Sequence, residues 1–521
     1  MANKRRPSRP DNEIHHHQKE PSETGGLSRR ELLGSTAAGM AVGALATTGL
    51  GGALAAPPPH AGTQGPPPHA GTQGPPPHAQ GNQRILIKGG TVITMDPQVP
   101  DLEKGDVLIE GKLIAAVGPD LGNVGQAQIV DAQGTIVVPG MVDCHQHSWE
   151  GQLRNIIPSG VIADYSATTH MGFGPFYRPH DNYVGNLAVM LDAIDAGTTC
   201  VIDHSHNSRS AEHSDAAIEA LFDSGIRAMH ASGPPQFGDW DMQWPQDLIR
   251  IQQKYFSSED QLVTLSLRAG VSLAEAPNWE FAHQLGLWIT TDGGSQSPAL
   301  FDLHAMGLLD ERHSFSHGSN TPLANLQLIK DVGAHINYCV RSDTQFQLGF
   351  GIPVSLDDAL AIDLRPGLSV DNVISYGGGI LQEMRAIFHV KRGYDQYRRA
   401  VLGQNPPVPP ISVRDCLEFA TIRGAGNAGL AHKVGTLTPG KEADIVLIRA
   451  DDINTLPLNN AVGIVVNYAN RNNVYAVFIA GKLKKWDGKL VGVDLNNVRK
   501  LVEESRQYLF EQRGYQLDIL A

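Results

Sequence analysis

Between residues 138 and 430 the hydrophobic positions repeatedly change their period. Short, nearly continuous apolar runs alternate with longer stretches in which apolar residues recur every three or four positions. "VVPGMVDC", "TTCVID", "IRAMH", "LVTLSLRAG", "LWITTD", "RHSFSH", "AHINYCV" and "RPGLSVD" read as strands; "NYVGNLAVMLDAIDAG", "SDAAIEALFDSG", "NWEFAHQLG", "SPALFDLHAMGLLD", "PLANLQLIKDVG" and "GILQEMRAIFHVKRG" read as helices. Continuously apolar strands belong to a parallel sheet buried on both faces. Eight such units in roughly 290 residues predict an α/β fold of the (β/α)8 barrel type.

On either side of this region the pattern becomes short strands with Gly-rich turns: "ILIKGGTVITMD" and "DVLIEGKLIAAVG" before it, "GTLTPGKEADIVLI" and "NVYAVFIAGKLKKWDGKLVG" after it. Residues 84–137 and 431–521 are expected to form one small β-sandwich from both ends of the chain, closed by an amphipathic helix in "NNVRKLVEESRQYLFEQR".

The first 83 residues do not belong to either unit. In residues 1–55, Arg29 and Arg30 precede a weakly hydrophobic run that ends in the small-residue site Ala53-Leu54-Ala55, the pattern of a twin-arginine export signal. A periplasmic or extracellular location follows as an expectation, with no stable membrane span after processing. Residues 56–83 carry "PPPHAGTQG" twice and then "PPPHAQG", a composition that cannot bury a core and reads as a semi-rigid spacer. The histidines within it, and the "EIHHHQKE" run near the start, are read as solvated rather than metal-binding.

Composition alters this picture little: 521 residues, 41% hydrophobic and 18% charged, suit a large globular chain. Charge matters more. The formal net charge of −13 becomes −15 when the 7 basic and 5 acidic residues of the signal are removed, which argues against a nucleic-acid partner. Cys144, Cys200, Cys339 and Cys416 are widely spaced in apolar contexts and read as buried free thiols.

Barrel enzymes work at the C-terminal ends of their strands, so polar residues there are the site candidates. These are His145 and His147 from strand 1, His204 and His206 from strand 2, His230 from strand 3, and Asp292, His317 and Asp371 from strands 5, 6 and 8. Side chains two apart on a strand project to the same face, so His145 and His147 can converge on one ion; the bland alternative is a hydrogen-bonded core pair. The chemistry implied is metal-assisted hydrolysis, with Asp371 as ligand and base and His317 as the group that polarises the bond under attack. The alternative for Asp371 is a helix N-cap. Trp149 is placed to stack on a flat ring or simply to pack its loop, and His206 is placed for a substrate contact. His204 and His230 read as ordinary hydrogen-bonded residues.

"VVPGMVDCHQH", "DAGTTCVIDHSHN", "LSVDNVISYGGGILQEMR" and "ATIRGAGNAGLAHKVGTLTPGKEADIVLI" resemble the amidohydrolase superfamily, in the branch of triazine chlorohydrolases and S-adenosylhomocysteine deaminases, over residues 84–495. The resemblance implies one divalent metal ion, usually zinc or iron with manganese also admissible, hydrolytic loss of an amino or similar group from a small cyclic nitrogen compound, and a homo-oligomer. It matches His145 and His147 to strand-1 ligands, His317 to the strand-6 histidine and Asp371 to the strand-8 aspartate. Strand 5 departs: Asp292 stands where relatives carry a metal-binding histidine, and Ser295 where a proton-handling glutamate often follows. After strand 7, Phe350 occupies the position of a histidine in a Gly-His-Gly segment and is taken as a substrate-side residue.

Three outcomes stay open at this level. Asp292 ligates directly in a two-His, two-carboxylate site; or His317 and Asp371 run metal-independent lyase, isomerase or cyclase chemistry; or the chain binds a small molecule without turnover. The loops "SHNSRSAEH", "SGPPQFGDWDMQW" and "SDTQFQLGFGIP" are expected to line the pocket.

Overall fold

The computed structural model describes residues 84–520 apart from Glu259 and Gly378; the stretch expected to be an export signal, the proline-rich repeats and the early histidine run lie outside the described residues. The chain first lays down β1 (Arg84–Val92), β2 (Leu102–Glu110), β3 (Leu113–Gly118), β4 (Gln128–Asp131) and β5 (Thr135–Pro139). It then enters the barrel strands β6 (Met141–Gln146), β7 (Thr198–Ser205), β8 (Arg227–Ser232), β9 (Val263–Ala269), β10 (Trp288–Thr291), β11 (His313–Phe315), β12 (His335–Tyr338) and β13 (Gly367–Leu368). It returns to the first layer with β14 (Ile445–Arg449), β15 (Val474–Ile479), β16 (Lys482–Trp486) and β17 (Lys489–Leu490).

The outer strands form one mixed sheet in the order β17-β16-β15-β14-β5-β1-β2-β3, with β4 on β1. The two ends of the chain meet where β14 runs antiparallel to β5, from Ile445 opposite Pro139 to Arg449 opposite Thr135. Alternation puts Ile85, Ile87, Val107, Ile109, Ile445, Leu447 and Phe478 into one apolar cluster, which holds this unit together.

The eight barrel strands pair in chain order, each parallel to its neighbour. β13 is only two residues long, and the barrel closes through a bridge between Gln146 and Asp371. Two backbone bonds make that seam: His147 N–H donates to the Asp371 carbonyl (2.7 Å) and Asp371 N–H to that of His145 (2.8 Å). Val142, Cys144, Cys200, Ile202 and Met229 pack against Ala425, Ala428 and Leu430 from a short helix, Gly424–Asn427, and the turn after it. Gly424 permits this approach, since a Cβ there would lie 2.6 Å from that of Val142. The four cysteines are buried and unpaired.

One buried ion-pair cluster ties barrel to sheet. Arg227 on β8, 1% exposed, donates through Nε and Nη2 to Asp444 (3.0 and 2.9 Å) and through Nη2 to Glu442 (2.6 Å). Removing the cation would leave the buried Asp444 without a cation and Glu442 with only the more exposed Lys112, 3.3 Å away. Arg227→Met is therefore expected to lower unfolding stability by about 3–5 kcal/mol, read from urea denaturation; a change below about 1 kcal/mol would show that the cluster only balances its own desolvation.

After β6 a helical turn, Ser148–Leu153, is buried at every position, and a π-helix, Ser166–Phe173, follows. The C-terminal helix Leu495–Arg513 braces this segment. Ser505 donates to Asp181 Oδ1 (2.7 Å), Arg513 Nη1 donates to the Thr168 carbonyl (3.0 Å), and Leu509 packs with Trp149, Tyr165 and Phe173. No helix among the described residues is long and apolar enough to cross a membrane.

Candidate metal centre and active site

The seam delivers three polar side chains to one point. His145 and His147 share a face of β6 and its extension, with Nε2 atoms 3.2 Å apart, and Asp371 Oδ1 lies 3.2 Å from each. Asp292, one residue past β10, adds Oδ1 at 3.5 Å from His145 Nε2 and Oδ2 at 3.6 Å from His147 Nε2. Ligands about 2.0–2.1 Å from a tetrahedral ion stand about 3.3–3.4 Å from one another. The observed separations fit that figure, and two imidazoles with two carboxylates are a donor set suited to zinc, iron or manganese. These residues can hold a divalent ion.

The electrostatics point the same way. Burial alone would lower the His147 pKa, yet Asp371 and Asp292 overcome it and raise it to about 9. Burial would likewise raise both aspartates, but the facing histidines hold their carboxyl groups well below the usual range. His145 stays low because burial dominates there. The cluster is thus built to favour positive charge between its members.

Asp371 is fixed on its other side: Oδ2 accepts from the Ser342 hydroxyl and from Asn372 Nδ2 (2.9 Å). Its φ of 75°, and the 56° of His317, lie in the left-handed region that disfavours side chains, and local strain of this kind is retained where function requires it. His317 Nε2 stands 3.4 Å from Asp292 Oδ1 and 3.9 Å from Asp371 Oδ1. Its Nδ1 sits 2.7 Å from Asp343 Oδ1, while Asp343 Oδ2 accepts from Ser319. Burial would lower His317, but Cys339, Asp292 and Asp343 together raise it well above its ordinary value. Ser295 plays no part in this: its hydroxyl pairs with Thr321 at 2.6 Å, fully buried.

A cavity of about 370 Å³ opens onto the cluster. It is lined by His147, Asp292, His317 and Asp371, by the apolar Ile162, Tyr165, Phe346 and Leu348, and by the amides of Gln236, Gln296 and Asn320. Three substrate-side expectations need correcting. Trp149 is 1% exposed and packs edge-on beneath His206 and Tyr177 rather than facing the cavity. His206 is buried too, and its Nε2 contacts His147 Nδ1 at 2.8 Å, so it braces His147 and does not line the cavity. Phe350 is 71% exposed and lies outside the lining. His204 is buried against the His145 ring, and His230 pairs with Asp203.

Four residues of the site escape a reading of strand ends: Arg268, Asp343, Tyr165 and His170. Arg268 lies inside β9 and donates from Nη2 to Asp292 Oδ2 (2.9 Å). Tyr165 donates to the buried Glu150 (2.7 Å), whose carboxyl is pushed up to about 8 by burial despite His147 and Tyr165. Of the expected loops, the first contributes nothing to the lining; residues 162–170 take its place.

Residues 354–484 match the Amidohydrolase family. Over 446 residues the chain is 23% identical to a 5-methylthioadenosine/S-adenosylhomocysteine deaminase of Caldicellulosiruptor saccharolyticus, covering 81% of this chain and 99% of the relative. In structure it resembles an adenosine deaminase from Xanthomonas campestris with bound zinc (TM-score 0.70, 19% identity, 82% of this chain and 98% of that one). It also resembles the atrazine chlorohydrolase of Arthrobacter aurescens complexed with zinc (TM-score 0.70, 22% identity, 81% and 100%).

The raised groups of the site set its pH behaviour. Besides His147 and Glu150, the buried Asp143 is pushed up to about 8 by desolvation. A group whose folded pKa is raised stabilises the fold below its unfolded pKa and loses that contribution as pH rises through the folded value. Metal-stripped protein is therefore expected to lose stability between about pH 4, where the unfolded carboxyls ionise, and about pH 9, while added divalent ion, which replaces the His147 proton, reduces the part of that loss above about pH 6.5. Thermal melts with and without chelator across that range check this; parallel profiles would contradict it.

Proposed function

We propose that the protein is a metal-dependent hydrolase of a non-peptide C–N bond in a small, cyclic nitrogen compound, of the deaminase type. The observation that carries this reading is the meeting of His145, His147, Asp292, Asp371 and His317 at the floor of one cavity, at the C-terminal ends of the barrel strands. The zinc in the structures of relatives supports zinc as the ion. When bound, such an ion supplies a water acidic enough to attack near neutral pH.

The chain's own residues handle protons and position. Asp371, held as an anion by Ser342 and Asn372, accepts a proton only transiently and so passes it on. Asp343 accepts from the Nδ1–H of His317 and, with Asp292, favours the imidazolium, so that a second proton on Nε2 faces the cavity, where it can polarise the bond and protonate the departing nitrogen. Tyr165 and Phe346, with ring centroids 5.2 Å apart, offer an aromatic wall for a flat ring, and the amides of Gln236, Gln296 and Asn320 offer donors and acceptors to ring nitrogens. Export by the twin-arginine route and assembly into a homo-oligomer form part of this proposal; cell fractionation and light scattering test them.

Elemental analysis of untagged protein, with ammonia release from a panel of aminated heterocycles, tests the reading. It expects one equivalent of a divalent ion and turnover abolished by chelator. Turnover that survives complete removal of the ion would move the assignment to acid–base chemistry by His317 and Asp371.

A further inference from the structure

We infer that Arg268 is a positioning residue of the metal centre: by occupying one oxygen of Asp292 it makes the strand-5 aspartate act as a single-atom donor, so that the Asp292–Arg268 pair stands in for one neutral imidazole. The inference rests on the reading of His145, His147, Asp292 and Asp371 as ligands and explains how the barrel tolerates an aspartate there.

The placement follows from strand register. Thr290 on β10 is the pairing partner of Arg268 on β9, and Asp292 lies two residues beyond Thr290, on the same face of the pleat. Arg268 and Asp292 are therefore diagonal neighbours pointing into the barrel, within reach of a long side chain. The guanidinium completes that reach, with Nη2 2.9 Å from Asp292 Oδ2 and the side chain only 12% exposed. Its Nε is buried without a hydrogen-bond partner, a cost that a side chain kept only for solubility would not carry.

The division of the carboxylate matters because both of its oxygens are close to the histidine nitrogens. Oδ1 is 3.5 Å from His145 Nε2 and 3.4 Å from His317 Nε2, whereas Oδ2 is 3.6 Å from His147 Nε2. With nothing on Oδ2, both oxygens are free to bind an ion. Arg268 takes Oδ2 in a charge-assisted bond and leaves Oδ1 for the centre. It also supplies charge balance: among the described lining residues, Asp292, Asp343 and Asp371 face a single Lys or Arg, which is Arg268. An aspartate with its own guanidinium adds no net charge, as a histidine would add none.

The test compares wild type, Arg268→Gln, Arg268→Lys, Asp292→His and Arg268→Gln/Asp292→His. Each is loaded with cobalt(II) for visible absorption and with zinc for affinity by competition with a chromophoric chelator. Arg268→Gln, with both Asp292 oxygens free to bind, should lose the visible absorption band of the wild-type cobalt centre and bind zinc about tenfold more weakly. Arg268→Lys, whose ammonium can still reach Oδ2, should retain both. In the Asp292→His background an imidazole has only one donor to offer, so Arg268→Gln should change zinc affinity by less than about threefold. Equal losses in the two backgrounds, or an unchanged cobalt spectrum in Arg268→Gln, would overturn the inference while leaving the metal centre intact. A wild type that binds neither ion would instead overturn the hydrolase reading and this inference with it. If Arg268→Gln fails to fold, Arg268→Lys decides alone, and loss of the wild-type cobalt band in that variant overturns the proposal.

Discussion

Asp292→Ala is expected to reduce bound metal to below about a tenth of an equivalent and to lower kcat/KM by at least about a thousandfold. The size of the effect comes from two losses that act together. Asp292 faces His145, His147 and His317 at 3.4–3.6 Å, so its removal takes away one of the donors that surround the ion site. The same change frees Arg268, largely buried, with no carboxylate partner, leaving a cation beside the position an incoming dication would occupy. Metal content by elemental analysis, paired with a single-turnover assay at saturating zinc, checks the prediction. A variant that keeps a full equivalent would mean Asp292 does not hold the ion.

The second large effect is kinetic and spares the metal. His317→Asn and Asp343→Asn are each expected to lower kcat by about a thousandfold, with KM changed less than about threefold and metal content unchanged. His317 Nε2 faces the cavity, and Asp343 holds the opposite nitrogen at 2.7 Å, so the two residues form one proton-handling unit. Residues that act as a unit are not additive, and the double variant should be little worse than either single one. If the two losses multiply, Asp343 contributes something other than the orientation of His317.

Those two residues also show where the sequence is a good guide and where it is not. His317 is legible because it follows an apolar strand, and His145 with His147 because a period of two puts both on one face of β6. Asp343 is invisible to that logic. It sits in a short helix, Val340–Gln345, in a stretch whose polar residues look like any loop. Arg268 is hidden for the opposite reason: a lone charge inside "LSLRAG" looks like an interruption of a strand until its diagonal partner across the register is known. Trp149 misleads because proximity to the HxH pair in the chain suggests exposure, whereas the turn Ser148–Leu153 is buried throughout and carries the indole beneath the site. Tyr165 and His170 come from a segment with no clear period, which forms a helix and a π-helix against which the C-terminal helix packs.

The closure of the barrel through Gln146 and Asp371 has a consequence for the order in which the protein can become functional. His145 and His147 are made early, Asp371 more than two hundred residues later, and the backbone bonds that close the seam join those same residues. A growing chain that has not yet reached residue 371 can have neither a closed barrel nor a complete set of donors. An ion bound there would rivet the first strand to a last strand only two residues long, the weakest join in the cylinder. Loading the ion and locking the barrel shut are then a single event, and amides on both sides of the seam should exchange with solvent in step with its loss.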